Sequence, residues 1–472
     1  MEELELISTA KREQLFKRYA KKLEVDKKLS RQVVSFQANK EVPFYRWFKY
    51  KEGFSSILVK HFLETYHPKP GRILDPFAGA GATLFAAQEL GWESVGVELL
   101  PVGVFAMEVR DQISGLDIAA FEDVVNTIWG ELDKKRPYDN YIHHISITKD
   151  AFSQETETYL NKYLTFAHSL DDDRLCDLLR FAAFCVLEEI SFTRKDGQYL
   201  RWDYRSQRDL KGKFDKGKIY DFREAAERKL AEMLHDLKAP TGRNTLFDKP
   251  KINKRQPLQI INDSCLNALP SLEAESFDFI FTSPPYCNRY DYTRTYALEL
   301  IFLGCNHDRV KELRQTMLSC TVENREKVDL LHQFYKRNGQ LGTFEAIMQA
   351  YRGCEAMTET NTALRDLNNA NALNNSNIAR MVENYFLEMC FVIYEMSRVL
   401  RPGGYSVMVN DNVRYGGQEV PVDIILSRFA ESFGMKVNKI FVLPKGKGNS
   451  SQQMGNYGRT EIRKCVYLWQ KL

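Results

Sequence analysis

A short apolar run in this chain leads directly into two consecutive prolines and an aromatic ring. The residues are DFIFTSPPYCNRYDY, at positions 278–292. Such a run bounded by turn residues is typical of a buried parallel strand, so the turn at 282–286 would lie at a strand's carboxyl end, where open α/β sheets bind ligands. Because proline has no N–H, the carbonyls of Ser283 and Pro284 have no hydrogen-bonded ladder to enter and remain free to accept bonds from a ligand.

Rigid carbonyl acceptors beside the flat ring of Tyr286 suit one kind of ligand. A planar group with an exocyclic amine, such as a nucleobase turned out of its helix, could donate its amine protons to those carbonyls. An ordinary Pro-Pro turn followed by a core tyrosine would have the same sequence. The elements around the turn must therefore decide between the two interpretations.

A second segment, RILDPFAGAGATLFAAQELGWESVGVELLP at 72–101, has the pattern strand, glycine loop, helix, strand. The first strand ends at Asp75 and the second in Glu98. In α/β folds this arrangement binds a nucleoside: Gly79 and Gly81 would let the backbone approach the ligand, and Glu98 would accept bonds from both ribose hydroxyls. Neither GxGxxG nor GxxxxGK[ST] is present, so the pattern does not call for a pyrophosphate, and Asp75 suits a ligand with a positive amine. Tight packing of the helix on the sheet is the alternative use of these glycines.

A third acid follows a predicted strand at 258–261. Asp263 precedes Ser283 by 20 residues, about the length of one βα crossover, which predicts that both lie at the same sheet edge. Asp263 could accept a bond from the exocyclic amine of an adenine. A helix cap is the bland alternative, and it is compatible with that role.

The region from about 102 to 250 shows helical periodicity and contains a basic, aromatic stretch. Residues 191–220 hold nine Lys/Arg against four Asp, together with six aromatics, a composition that can pair phosphates and stack on bases. A solvated, charged connector would have a similar composition. The DNA-binding candidates in this stretch are Arg194, Lys195, Tyr199, Arg201, Trp202 and Arg205.

The rest of the chain predicts the elements that would hold these sites. We expect a helical segment at 1–40, a loss of sheet pattern at 306–378 that includes an Asn-rich loop, NNANALNNSNIA, at 368–379, a helix at 381–400 and a turn at 401–404 before a strand at 405–409. A helix at 422–433 and two closing strands at 437–443 and 465–469 would follow, with a polar loop between the strands.

Composition excludes several classes of protein. The balance of 66 Lys+Arg against 63 Asp+Glu rules out a globally polybasic chain, so a nucleic-acid surface must be regional. The nine cysteines contain no CxxC pair, which supports neither a zinc site nor a disulfide scaffold and suits a reducing cytosol. No apolar run approaches the ~18 residues needed to span a bilayer. These features predict a cytoplasmic protein with no metal site.

Two of these segments resemble the motifs of one family. DPFAGAGAT (75–83) resembles the S-adenosylmethionine-binding motif, and TSPPY (282–286) the catalytic motif, of the bacterial amino-group DNA methyltransferases. FSSILVKHFL before the first motif and VLRPGG after the second extend the likeness. The resemblance implies an α/β fold with a Rossmann-like methyltransferase sheet and largely helical insertions.

The resemblance also implies roles for individual residues. Asp75 would lie near the amino-acid portion of S-adenosylmethionine, Glu98 at its ribose and Asp263 at its adenine. Tyr286 would stack on an extruded base whose amino protons bond to the carbonyls near Ser283 and Pro284. The cofactor contacts implied are Asp75, Phe77, Gly79, Gly81, Thr83, Glu98 and Asp263, and the catalytic residues are Ser283, Pro284, Pro285 and Tyr286.

The implied reaction is direct transfer of a methyl group to an exocyclic nitrogen, with no metal and no covalent nucleophile. In this family, Ser before PPY usually marks cytosine N4 and Asp or Asn marks adenine N6, so Ser283 favours cytosine. Methylation at cytosine carbon 5 would use a Pro-Cys pair, and none of the fifteen prolines precedes a cysteine. The alternatives that stay open are adenine N6 methylation, methylation of an RNA base amine, and a DNA-binding protein on a retired methyltransferase fold.

The predicted organisation has four parts. They are an N-terminal helical segment (1–40), a catalytic domain (41–103, 256–305 and 379–472), a helical insertion carrying the candidate DNA-recognition region (104–255) and a second insertion that could also contact DNA (306–378). Double-stranded DNA is the expected partner, together with a cognate restriction endonuclease acting on the same site.

Overall fold

A computed structural model describes residues 8–196, 199–210, 212–239, 256–444 and 462–472. The strands in those ranges are β1 (Leu23–Val25), β2 (Arg72–Asp75), β3 (Glu93–Val97), β4 (Thr193–Asp196), β5 (Tyr199–Trp202), β6 (Leu258–Ile261), β7 (Phe277–Thr282), β8 (Leu400–Asp411), β9 (Val413–Tyr415), β10 (Gln418–Val420), β11 (Met435–Val442) and β12 (Lys464–Lys471).

The α-helices of the same ranges lie between and around these strands. They are α1 (Ala10–Tyr19), α2 (Ser56–Tyr66), α3 (Ala82–Glu89), α4 (Pro101–Gln112), α5 (Ile118–Leu132), α6 (Gln154–His168), α7 (Asp173–Ile190), α8 (Phe222–Lys238), α9 (Cys265–Ala268), α10 (Tyr292–Thr295), α11 (Ala297–Phe302), α12 (His307–Thr316), α13 (Val328–Arg337), α14 (Leu341–Arg352), α15 (Glu355–Asn369), α16 (Ile378–Val399) and α17 (Val422–Ser432).

Eight strands form one central sheet in the order β1-β11-β12-β8-β7-β2-β3-β6. All neighbours are parallel except β12, which runs antiparallel to both β8 and β11. The chain adds β3 and β6 on one side of β2 and then β7 and β8 on the other. The order therefore reverses between β2 and β7, which in open α/β sheets opens a crevice at the carboxyl ends of those strands.

Alternate residues of the strands pack against helices on opposite faces of the sheet. Leu74, Ile280 and Met408 share a buried cluster with α16 and α17. Ile73 and Phe281 share another with α2. Both faces are thus covered, which is why the parallel strands are apolar at successive positions. The predicted α/β class and the closing strands are confirmed.

The helices between β3 and β6 form a cluster of their own. Helices α4 to α8 bury their apolar faces against one another, and Trp47, Phe48 and the α11 residues Leu300 and Ile301 belong to the same cluster. The helical periodicity predicted there is confirmed. It did not predict α8 or the β4–β5 hairpin, each strand of which has only four residues.

The Asn-rich segment forms the turns between α15 and α16, as expected, but residues 306–378 also carry four helices, α12 to α15, that were not predicted. Two other expectations were wrong. The N-terminal segment is helical only in part, because Leu23–Val25 forms β1 and pairs with β11 at the edge of the sheet. Positions 401–404 belong to β8. Most of the polar loop predicted before β12 lies outside the described residues.

None of the described helices is long and apolar enough to cross a membrane.

Candidate active site

A cleft opens where the sheet order reverses, at the carboxyl ends of β2, β3, β6 and β7. It encloses roughly 1150 Å³ including its mouth. Six residues predicted from the sequence line it: Phe77, Gly79, Glu98, Asp263, Ser283 and Pro285. Segments far apart in the sequence thus meet at one sheet edge, as expected from their positions after parallel strands.

The glycine loop has a backbone that only glycine adopts without strain. Gly79 has φ +53° and Gly81 has φ +80°. A Cβ at Gly79 would lie 2.9 Å from a ring carbon of Tyr50, and one at Gly81 would lie 2.7 Å from the ring of Phe85. Both positions therefore exclude larger residues by conformation and by space.

Glu98, at the tip of β3, holds the glycine loop in place and borders the cleft. Its Oε2 accepts a bond from the Gly79 N–H at 2.8 Å, and its Oε1 accepts one from the Leu100 N–H at 2.7 Å. Burial raises the pKa of Glu98 to about 7. Each carboxylate oxygen can accept a second bond, so Glu98 can still receive hydroxyl donors from a ligand.

Asp75, at the end of β2, is buried and is not among the residues that line the cleft. Its carboxylate accepts bonds at 2.7 Å from the hydroxyls of Thr83 and Thr282, and one at 3.0 Å from the Phe77 N–H. Burial raises the pKa of Asp75 to about 6. Asp75 therefore ties β2 to α3 and β7 behind the cleft wall. Thr83 and Gly81 lie in the same buried layer and do not line the cleft.

Asp263 lies at the tip of β6 and faces the cleft. Its Oδ1 accepts bonds from the Ser264 N–H at 2.6 Å and from the Asn267 side chain at 3.2 Å. The cap of α9 is Ser264, whose hydroxyl accepts the Leu266 N–H. The helix cap considered for Asp263 is thus supplied by its neighbour.

The SPPY loop is anchored at both ends; Ser283 and Pro285 line the cleft, whereas Pro284 is buried and does not line it. Before it, the Thr282 hydroxyl donates to Asp75. After it, the Cys287 carbonyl accepts a 2.8 Å bond from the Tyr415 hydroxyl. Within the described residues, no donor bonds to the carbonyls of Ser283 or Pro284. The free acceptors expected from the two prolines are therefore present on a fixed loop.

Tyr286, the last residue of the SPPY loop, is half-buried. The Ser283 hydroxyl donates to its oxygen over 3.4 Å, a long bond. Burial, together with the charge of Asp411 at the tip of β8, raises the pKa of Tyr286, and Asp411 forms a 2.8 Å ion pair with Lys464. Cys287 is fully buried and packs in the core.

The basic, aromatic stretch forms the β4–β5 hairpin, whose two faces differ. Arg194 and Arg201 pair across the strands and are exposed. Lys195 points inward, where its ammonium lies 2.5 Å from Glu299 and both side chains are buried. This geometry does not favour the phosphate contact predicted for Lys195. Trp202 is covered by Arg208, whose guanidinium lies 3.8 Å from its ring centroid.

Arg205 forms a two-point pair with Asp203, at 2.7 and 2.9 Å, so its guanidinium is largely committed to that acid. The side chain of Tyr199 lies outside the described part of the structure. Of the six DNA-binding candidates, Arg194 and Arg201 are the basic residues that the hairpin presents to solvent.

One wall of the cleft was not predicted from the sequence. The segment 44–54 contributes Phe44, Tyr45, Trp47, Tyr50 and Glu52 to its lining. Its aromatic density is a visible signal, but it contains no motif that relates it to the glycine loop. The contact between Tyr50 and Gly79 exists only in the folded chain.

Two curated relatives match the chain over nearly its whole length. The Type II methyltransferase M.AvaI of Nostoc sp. is 47% identical over 464 residues, covering 97% of this chain and 92% of the relative. The Type II methyltransferase M.BsoBI of Geobacillus stearothermophilus is 39% identical over 474 residues, covering 96% and 91%. The chain belongs to the Type II methyltransferase family.

No family model and no solved structure matches this methyltransferase. The residues present fit a nucleoside-containing methyl donor, since a left-handed glycine loop, two acids at successive strand tips and several aromatic rings converge on one cavity.

Proposed function

We propose that this methyltransferase transfers a methyl group from S-adenosylmethionine to the exocyclic N4 of cytosine in duplex DNA, as the modification component of a restriction-modification system. The observation that carries the proposal is the SPPY loop. Its carbonyls at Ser283 and Pro284 accept no bond from any residue that the structure describes, and they stand on a fixed turn that borders the glycine-loop cleft.

The proposed cofactor site follows from the cleft lining. Glu98 would bind the ribose hydroxyls and Asp263 the adenine amine, while the Gly79 backbone lies close enough to contact the ligand. Phe77 would add an apolar surface beside it. Asp75 and Thr83 would act from behind the wall, because their side chains hold β2, α3 and β7 together.

When bound, the cofactor supplies an electrophilic methyl group on a sulfonium. The amine of a nucleobase is a weak nucleophile, because its lone pair is delocalised into the ring. We infer that the carbonyls of Ser283 and Pro284 would accept hydrogen bonds from the two amine protons and thereby favour the tetrahedral nitrogen needed for attack. As the N–CH₃ bond formed, the S–CH₃ bond would break to release S-adenosylhomocysteine, and the nitrogen would lose one proton to water. Tyr286 would stack on the base and fix its orientation, so that preorganisation supplies most of the rate.

The choice of cytosine rests on Ser283, through the resemblance of TSPPY to the cytosine N4 type. Adenine N6 methylation uses the same geometry and is the competing product. Methylation of an RNA base amine is a further alternative.

We also propose a division of labour within the chain. The central sheet with α2, α3, α16 and α17 would form the catalytic part. The helical insertion at 104–255 would carry the DNA contacts through Arg194 and Arg201, and the helices at 306–378 could extend that surface. Double-stranded DNA would be the substrate and a nuclease of the same specificity the functional partner.

Labelled methyl transfer tests the proposal directly. Purified protein is incubated with methyl-labelled S-adenosylmethionine and duplex DNA, and the DNA is then digested to nucleosides. We expect the label in N4-methylcytosine. Label in N6-methyladenine would overturn the choice of base, and label in RNA but not in DNA would overturn the choice of substrate.

A further inference from the structure

Glu52 is a cleft-lining acid with no positive partner among the described residues. Its two carboxylate oxygens accept bonds from the hydroxyls of Tyr290 and Tyr296. Neutral hydroxyls stabilise a carboxylate but leave its charge in place. Asp75, by contrast, is enclosed behind the cleft wall. Glu52, which belongs to the 44–54 segment, lines the cleft and can therefore meet the positive charge of a ligand.

The two phenols that hold Glu52, those of Tyr290 and Tyr296, form a clamp whose position is fixed by further contacts. The Tyr296 ring stacks on Tyr50, with centroids 5.2 Å apart and an angle of 11°. The Lys51 N–H donates to the Tyr296 oxygen at 3.2 Å, so the hydroxyl proton is directed toward Glu52. Burial, together with Glu52 itself, holds the pKa of the Tyr290 and Tyr296 phenols well above its ordinary value, and both phenols therefore remain donors.

The insertion supports this clamp from outside. The Lys195 ammonium lies 4.3 Å from the centroid of the Tyr296 ring and is itself held by Glu299. The inner face of the β4–β5 hairpin thus packs on the residue that orients Glu52, although the hairpin lies outside the cleft.

We propose that Glu52 binds the positive charge of the cofactor, supplied by its sulfonium or by its α-ammonium group. This inference rests on the proposed use of S-adenosylmethionine. A carboxylate that faces a largely apolar cleft, with its orientation fixed by two phenols, attracts a cation strongly, because little water screens the charge there.

Calorimetry with three adenosyl ligands tests the proposal in the intact protein. S-adenosylmethionine carries both charges, S-adenosylhomocysteine keeps only the ammonium, and 5′-methylthioadenosine has neither. We expect Glu52→Gln to weaken S-adenosylmethionine binding roughly ten- to hundredfold, the range expected when a charged hydrogen bond is removed, and to leave 5′-methylthioadenosine binding unchanged. If S-adenosylhomocysteine binding is weakened as much as S-adenosylmethionine binding, Glu52 binds the ammonium. If S-adenosylhomocysteine binding is unchanged while S-adenosylmethionine binding is weakened, Glu52 binds the sulfonium.

Matched variants separate this role from a structural one. Glu64→Gln removes the same charge from an exposed position on α2 and should change no affinity. Glu52→Asp keeps the charge and should lose less affinity than Glu52→Gln. The inference is overturned if Glu52→Gln weakens all three ligands equally, or if S-adenosylmethionine binding is unchanged. Failure of the unaltered protein to bind S-adenosylmethionine would instead overturn the proposed cofactor.

Discussion

The residue types of the SPPY loop and of the β4–β5 hairpin both predict a functional site, but the polar groups of the two segments have different environments in the fold. In the loop, neighbouring residues make the anchoring bonds, and the carbonyls of Ser283 and Pro284 stay free. In the hairpin, Lys195 is consumed by an internal ion pair, while Arg194 remains exposed.

The difference comes from backbone chemistry. Two prolines fix φ and remove donors whatever surrounds them, so the free carbonyls are a local property of the sequence. Successive residues of a strand face opposite sides, so neighbouring basic residues in a hairpin separate into an inner and an outer set. The composition of the segment does not distinguish inward-facing from outward-facing basic residues, and only the packing of the folded chain does.

Lys195→Met should have the largest effect, by breaking the inner face of the hairpin. It leaves the Glu299 carboxylate buried without its partner, which typically costs about 3–5 kcal/mol. Urea denaturation followed by circular dichroism measures the loss. Arg194→Met is the matched change on the outer face and should stay within ~0.5 kcal/mol of the unaltered protein. Equal stability of the two variants would contradict the assignment of faces.

Tyr286→Ala tests the loop. Removing the ring should lower the single-turnover rate roughly 100- to 1000-fold, since the base loses its stacking partner and its orientation. Affinity for S-adenosylmethionine, measured by calorimetry, should remain nearly intact, because Tyr286 does not line the cleft. Pro285→Ala should also lower turnover. Tyr286→Phe keeps the ring and should keep most of the rate, and a similar loss of rate and cofactor affinity would mean that the site is misassigned.

The stability contributed by the acids next to the SPPY loop and by the acid next to the hairpin should depend on pH in opposite directions. Burial raises the pKa of Asp75 from 3.8 to about 6, so its native state binds the proton more tightly than the unfolded state. Its contribution to stability is full below pH 3.8 and declines by roughly 3 kcal/mol as the pH rises to 6. Glu98, with a pKa of about 7, extends the decline to neutrality.

Directly after the hairpin, the Arg205 guanidinium lowers the pKa of Asp203, so the contribution of Asp203 to stability is present above pH 3.8 and is lost as the pH falls. Denaturation at a series of pH values checks both signs. Asp75→Asn should flatten the decline between pH 4 and 6, and Asp203→Asn should flatten the loss at lower pH. A rise in stability with pH through the range from 4 to 6 that depends on Asp75 would refute the assignment.

Arg194→Ala with Arg201→Ala should have the smallest effect on the protein itself. We expect unchanged stability and weaker DNA binding, with the slope of log affinity against log salt reduced by about one for each phosphate that the variant no longer neutralises. Fluorescence anisotropy over a salt series measures it. Lys17→Ala, on the exposed face of α1, is the charge control and should leave the slope unchanged.

Much of the sheet could be predicted from the sequence, because its parallel strands are short apolar runs bounded by turns. The positions of β2, β3, β6, β7, β11 and β12 agree with expectation within one or two residues. Strand β1 could not be predicted, since its partner β11 lies more than 400 residues later in the chain. Helices α12 to α15 bury apolar residues on one face and expose polar residues on the other, so their periodicity was present in the sequence although they were not predicted.

The sequence by itself determined the two ends of the proposed reaction site. Glycines with a left-handed backbone and two adjacent prolines have conformational consequences that do not depend on distant residues. The likeness of both segments to methyltransferase motifs also needed no coordinates.

Only the tertiary structure decided which charged groups face the cleft. It enclosed Asp75 between β2 and β7 and brought Glu52 to the cavity between two phenols. It also turned Lys195 inward. These outcomes depend on contacts between residues up to about 240 positions apart, and a side chain's partners at that separation are set by packing and not by the local sequence.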